Sequence, residues 1–278
     1  DPGEGWDVHQ APTGGAPHGG QSLGELGFYS LLSHGARENL HEMLAYKSTR
    51  NDELWDAIRE NRKIPPPKAP FAYTKFENYL RALRVNPVKE GSKISLMPFT
   101  EAQVQKMSSG ELTRPNRALV GKDLQPEAGG LFDPVATGGL TGNKWSHIKL
   151  AEPLPNPLFE EAIQKVLDID KTQFRALLEG KKKVGGKVGG EAIEDLLSKV
   201  DVAKEREELE EKVKGMKSGT RSKAHKRLRV LKMLETNKLS PTIYMMRSVP
   251  VLPPIFRPPV VQEDGSLSTT DLNYLYKD

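Results

Sequence analysis

The chain contains no cysteine in 278 residues, which excludes disulfides, thiol nucleophiles and any zinc site ligated by cysteine. It also lacks an apolar run approaching the eighteen residues of a membrane span, and no charged-then-apolar leader opens it. A soluble, cytoplasmic protein is expected. Apolar content is low for a self-sufficient enzyme, at 36% with a mean hydropathy of -0.56, and 21 prolines with 25 glycines imply many irregular connections. Much of the chain is expected to need neighbouring surface. With 41 basic against 37 acidic residues and a net charge of +4, nucleic acid is a compatible partner but not a required one, so the distribution of charge matters more than its sum.

Residues 1–21 are rich in glycine and proline and carry no apolar periodicity. From Ser22 to Tyr46 apolar residues recur at helical spacing with a break near Gly35, which predicts two helices; Asp52 to Arg62 offers a third, acidic at its start and basic at its end. Phe71 to Val85 is a further amphipathic candidate, Lys93 to Met97 a short strand, and Thr100 the cap of a helix through Met107. Two short helices follow at Pro157 to Leu167 and Lys171 to Leu178, the second capped by Asp168 or Asp170, and then a basic glycine-rich linker, Lys181 to Gly190. Ala192 to Val213 reads as one acidic helix and Arg221 to Leu234 as a basic one, carrying Lys223, Lys226, Arg227, Arg229 and Lys232. An acidic helix, a short turn and a basic helix form the pattern of an antiparallel hairpin over about 192–234, whose charges either pair across the seam or meet DNA. The expected fold class is α+β: mostly helical and irregular, with short strands and a helical hairpin.

Several chemistries fail on their residues. His41-Glu42 lacks the second histidine of a zincin. Gly180 to Lys187 has the wrong glycine spacing for a phosphate loop, with Val188 where a hydroxyl is needed. Ser30 and Ser33 near His34 have no nucleophile-elbow context. The sole Asp-x-Asp, Asp168 and Asp170, lies between two predicted helices, where aspartates cap more often than they bind metal.

The densest signal is Val249 to Pro259, VPVLPPIFRPP. Five prolines in eleven positions fix φ and remove backbone donors, so the segment is neither helix nor central strand but a stiff, extended strut. Its apolar residues predict that it lies against a packed surface. Arg257, an always-charged planar fork, suits a carboxylate or a phosphate equally.

Together with Asp264-Gly265 and Asp271-Leu272-Asn273-Tyr274-Leu275-Tyr276, this block resembles the amino-terminal clamp region of the beta-prime subunit of multisubunit DNA-dependent RNA polymerases, where a PVLPPxxRP run leads into the lid loop and a Ser/Thr-Asp-Leu-Asn-x-Leu-Tyr helix start. PEAGGLFD, Pro126 to Asp133, and HIKLAEP, with His147-Ile148 and Leu150-Ala151, resemble the family's GLFD and GHIELA signatures. The segment Gly19 to Leu26, with Gly35-Ala36, Leu40, Glu42-Met43-Leu44 and Lys47-Ser48, resembles instead the carboxy-terminal clamp segment of the beta subunit.

The resemblance implies a beta to beta-prime fusion, with a beta-derived segment over 1–98 and a beta-prime clamp core over 99–278. It implies a clamp that grips DNA and the RNA-DNA hybrid and a lid at 264–270 that helps part transcript from template. Nucleic-acid contacts are accordingly expected at Arg257 and at Asp264, Gly265, Ser266, Leu267, Ser268, Thr269 and Thr270. No cofactor is expected on this chain: the family's Asp-x-Asp-x-Asp magnesium motif is absent, and only Pro134 to Ser146 stands where the zinc ribbon would be. The expected partners are the remaining polymerase subunits, template DNA and the hybrid, with no membrane, in a bacterial or phage-infected cell; the missing ribbon suggests a divergent, phage-type enzyme. The alternative is a freestanding nucleic-acid-binding or regulatory module derived from a clamp.

Overall fold

The computed structural model describes residues 5–7, 11–15, 17–66, 69, 71–91, 93–116, 119–120, 125–261 and 267–277. Internal contacts divide the chain into two compact units, Asp1–Asn78 and Tyr79–Asp278.

The first unit holds helices α1 (Glu25–Ser33), α2 (Arg37–Glu42), which runs straight into a π-helical turn at Met43–Lys47, and α3 (Asp52–Arg59). Gly35 separates α1 from α2 at a φ of 71°, a left-handed conformation that glycine adopts without penalty. Leu54 and Ala57 of α3 are buried. Helix α1 buries no residue, and Leu26 stands 87% exposed beside exposed Leu23, Phe28, Tyr29 and Leu32. Helix α4 (Phe71–Ala82) spans the division between the units.

In the second unit β1 (Val85–Glu90) and β2 (Lys93–Pro98) form an antiparallel hairpin. Helix α5 (Glu101–Met107) comes next, closed by a reciprocal cap: Thr100 accepts from the Gln103 N–H and Gln103 accepts from the Thr100 N–H. Then come β3 (Leu119–Val120), β4 (Gln125–Pro126), β5 (Ser146–Pro155), α6 (Glu160–Leu167), α7 (Lys171–Leu178), α8 (Gly189–Ser198), α9 (Val202–Val213), α10 (Ser218–Thr236), β6 (Met245–Val251), β7 (Pro259–Val261), β8 (Leu267–Thr269) and α11 (Asp271–Tyr274). Among the described residues the strands make four two-stranded pairs, β1-β2, β3-β4, β5-β6 and β7-β8. The fold is α+β and mostly helical, as expected. No helix among the described residues is long and apolar enough to cross a membrane.

The main core gathers Ile163 and Val166 of α6, Phe174 and Leu177 of α7, Ile193 and Leu197 of α8, Leu234 of α10, and Tyr244 with Met245. A second cluster joins Leu112, Leu131, Phe132, Ala136 and Val251. The third lies along the α9-α10 seam, from Leu209 and Val213 to Ala224, Leu228 and Leu231.

Two expectations are corrected. The stretch 192–213 is two helices, because the chain turns at Lys199 and Val200 and Asp201 caps α9 by accepting from the Lys204 N–H at 3.1 Å; only α9 and α10 form the hairpin. The proline-rich segment is not extended throughout. Its first part is β6, in which Pro250 sits opposite His147, a position tolerated because no strand among the described residues pairs with the other edge of β6. A 3-10 turn at Pro254–Phe256 then redirects the chain.

The boundary expected at 98/99 concerns ancestry, whereas compactness divides the chain at 78/79. Val85 to Pro98 belongs to the second unit because Arg84 reaches forward along the chain. Arg84 is 2% exposed and sits at a φ of 59°, uncommon for a long side chain. Its guanidinium donates to Phe99 O at 2.7 Å, to Ser248 O at 3.2 Å and to the Glu101 carboxylate.

Candidate nucleic-acid interface

The hairpin satisfies part of its charge internally. Arg227 meets Glu205 at 2.9 Å, Lys232 meets Glu210 at 2.7 Å, and Arg206 meets Glu235 at 2.6 Å. Arg227 also donates to Lys165 O at 2.8 Å and Val166 O at 3.1 Å, so it caps the C-terminus of α6. These pairs are the seam that the sequence pattern suggested.

The remaining cations have another disposition. From Lys212 to Leu234 the chain carries nine lysines and arginines and no acidic residue. Lys214, Lys217, Arg221, Lys223, Lys226 and Arg229 are exposed, and none forms a salt bridge among the described residues. The exposed cations thus run from the turn along α10 as a positive stripe, which suits a polyanion. The signal is present in the sequence as an acid-free window, but it straddles the end of α9, the turn and α10, so reading one helix at a time conceals it.

Arg257 lies elsewhere. It is 0% exposed, with Nε donating to Leu252 O at 2.5 Å, Nη1 to Asn273 Oδ1 at 2.9 Å and Nη2 to Leu131 O at 2.6 Å. Its guanidinium carbon lies 5.0 Å from the Phe132 ring centroid and 5.9 Å from that of Tyr276. Burial pulls its pKa down to about 10, still well above neutral pH. The expectation of a nucleic-acid contact at Arg257 is corrected: backbone and amide acceptors inside the protein hold the donors a phosphate would need.

Of the other expected contacts, Asp264, Gly265 and Ser266 lie outside the described residues. Leu267, Ser268 and Thr269 form β8, paired with β7 in the register Val261 to Leu267, Val260 to Ser268 and Pro259 to Thr269. Thr270 precedes α11, and its Oγ1 accepts from Asn273 Nδ2 at 3.0 Å.

The GLFD and HIKLAEP segments take structural roles. Asp133 accepts from the backbone N–H groups of Gly129, Val135 and Ala136 at 2.6, 2.7 and 2.7 Å; burial opposes its ionisation, yet these donors hold its carboxyl below the usual range. His147 is buried, its Nδ1 2.7 Å from Ser108 Oγ.

Asp168 ends α6 at a φ of 51°, and Asp170 caps α7 by accepting from the Gln173 N–H at 2.8 Å. Among the described residues no group of three or more histidine and acidic side chains is placed to hold a metal ion. These aspartates do not fit a magnesium site.

No family model matches the chain. Sequence relatives exist, each named DNA-directed RNA polymerase subunit beta'. The chain is 34% identical over 120 residues to that of Rhodococcus jostii, covering 43% of this chain and 9% of the relative. It is 38% identical over 109 residues to that of Acinetobacter baylyi, covering 39% and 8%. A longer match, 26% identical over 242 residues, joins it to the subunit of Lactobacillus delbrueckii subsp. bulgaricus and covers 63% and 20%. The chain is thus related to the beta' subunits of multisubunit RNA polymerase and spans a fifth or less of the length of these relatives.

Proposed function

We propose that this chain is the clamp module of a cytoplasmic, divergent DNA-directed RNA polymerase, built by fusing the end of a beta subunit to the start of a beta-prime subunit. The clamp grips duplex DNA and the RNA-DNA hybrid, and the loop at 264–270 acts as the lid that separates transcript from template. The observation that carries the grip is the acid-free stretch Lys212 to Leu234, whose exposed cations line the turn and α10 of a helical hairpin stiffened by its own ion pairs.

Other features support the same reading. The 242-residue match uses only 63% of this chain, so the relative carries residues within the matched span that this chain lacks, in keeping with loss of a zinc ribbon between Asp133 and His147. Helix α1 presents an apolar surface that the described residues leave uncovered, as expected of a part whose neighbours are other polymerase segments. Nucleotide addition belongs to the complete enzyme, with magnesium held by aspartates on another segment; this chain supplies position and grip.

The test is binding of the full chain to a short DNA duplex across a salt series, beside a Lys223→Ala, Lys226→Ala, Arg229→Ala variant. Removing one phosphate-binding cation should reduce the slope of log affinity against log salt by about 0.9, so the triple variant should flatten it by roughly 2 to 3. A chain whose affinity ignores salt would overturn the clamp reading. Affinity purification from the source cell should also recover a chain bearing the magnesium-binding aspartates; recovery of complete host subunits alone would favour a freestanding regulator.

A further inference from the structure

We propose that Arg257 is the positioning residue of the β7-β8 hairpin: it ties the chain entering that hairpin to the helix leaving it, and so sets the direction in which the hairpin projects. Arg257 precedes β7 by two positions and Asn273 follows β8 by four. The two hold each other reciprocally, Arg257 Nη1 donating to Asn273 Oδ1 at 2.9 Å and Asn273 Nδ2 to Arg257 O at 3.2 Å. Asn273, itself 0% exposed, also donates to Thr270 Oγ1 at the end of β8.

The rest of the guanidinium anchors this pair to the core. Nη2 reaches Leu131 O and Nε reaches Leu252 O, while Phe132 and Tyr276 face its plane. Tyr276 closes the circuit by accepting from the Leu252 N–H at 3.3 Å. Three segments far apart in sequence, at 131–132, 252–257 and 270–276, thus meet on one side chain.

Burying a cation that has no carboxylate partner among the described residues is costly, and an apolar residue of similar volume would avoid the cost. Only a planar group with several donors in a fixed fork can hold acceptors from three segments at once. Lysine also has three donors, but on one nitrogen, and cannot span acceptors that meet three separate nitrogens of the fork. A hairpin pinned at both ends of its base turns as a unit with the core beneath it, whereas one released there is tied only by its own short ladder.

The experiment is backbone amide hydrogen exchange on the full chain in wild type, Arg257→Lys and Asn273→Ala, comparing residues 260–261 and 267–269 with α6 and α8 as internal reference. Both variants should speed hairpin exchange by roughly tenfold or more while α6 and α8 keep their rates. Unchanged hairpin exchange in both, or acceleration of α6 and α8 by the same factor, would overturn the proposal. If Arg257→Lys does not fold, Asn273→Ala decides, because it removes the reciprocal pair and leaves the cation seated on Leu131 and Leu252. A consequence for transcript displacement rests on the lid reading; the exchange result does not. A loosened hairpin with displacement intact in the reconstituted polymerase would overturn the lid and leave the role of Arg257 standing.

Discussion

Glu101, in the first turn of α5, accepts the hydroxyl of Ser248, 147 residues further along the chain, at 2.6 Å. Its other oxygen takes the Arg247 N–H at 2.7 Å and the Ser248 N–H at 3.3 Å, and receives the buried guanidinium of Arg84. One carboxylate thereby joins the entry to the β1-β2 hairpin, α5 and the β5-β6 sheet.

Glu101→Ala should destabilise the second unit by about 3 kcal/mol, since it strands the Arg84 charge in the interior. Glu101→Gln, which keeps an acceptor, should cost less. Burial alone would raise the Glu101 pKa, but Ser248, the Arg247 N–H and Arg84 outweigh it and hold the carboxyl below its ordinary value of 4.5. The stabilisation is therefore present above that value and is lost as pH falls through the lower folded-state value. Urea unfolding followed from pH 7 to pH 3 checks this: the gap between wild type and Glu101→Gln should close towards acid.

Asp133 makes an independent acid-sensitive site of the same sign. Asp133→Ala removes the acceptor of three backbone N–H groups and should cost about 2 kcal/mol, with the damage centred on Leu131, Phe132 and their neighbours. Near-ultraviolet circular dichroism with urea titration measures it. A change below about 0.5 kcal/mol would mean that water satisfies those donors equally well.

How far the sequence could be read depended on the range of the interactions involved. The caps of α5 and α7 were legible because a cap is a local device: Thr100 with Gln103 and Asp170 with Gln173 stand three residues apart. The break before α9 had a local sign too, Asp201, but apolar residues at helical spacing on both sides of it, Ile193 to Val200 and Leu209 to Val213, concealed it. Strand β5 was not legible, since Pro153 and Pro155 argue against a strand and its partner β6 lies about a hundred residues on. The cation Arg257 had a visible position and an invisible environment. Whether an arginine faces a phosphate or three carbonyls depends on Leu131 and Asn273, which only the fold brings to it.

Two glycines should respond to alanine with opposite signs. At Gly190, in the first turn of α8, an added Cβ would lie 1.6 Å from Pro153 O, at the point where the β5-β6 register is interrupted. Helix and strand backbones would have to part, so Gly190→Ala should cost about 3 kcal/mol. At Gly219, in the first turn of α10, nothing lies within 4 Å of the added atom, and Gly219→Ala should stabilise by about 0.5 to 1 kcal/mol by restricting the unfolded chain. Thermal unfolding of both variants checks the pair; a mild effect at Gly190 would show that α8 does not press closely on β5.

Arg227 and Arg229, two positions apart on α10, should separate stability from binding. Arg227 is held between Glu205 and the last carbonyls of α6, so Arg227→Met should cost about 2 kcal/mol by leaving those acceptors unmet, with little effect on DNA. Arg229 is exposed and forms no salt bridge among the described residues, so Arg229→Met should change stability by less than about 0.5 kcal/mol. It should, however, lower the salt slope of duplex binding by about 1 if Arg229 meets a phosphate. Urea unfolding and a salt series of fluorescence anisotropy on the same two variants read both quantities. The reverse assignment, with Arg227 governing affinity and Arg229 stability, would place the DNA on the seam side of the hairpin and defeat the proposed grip.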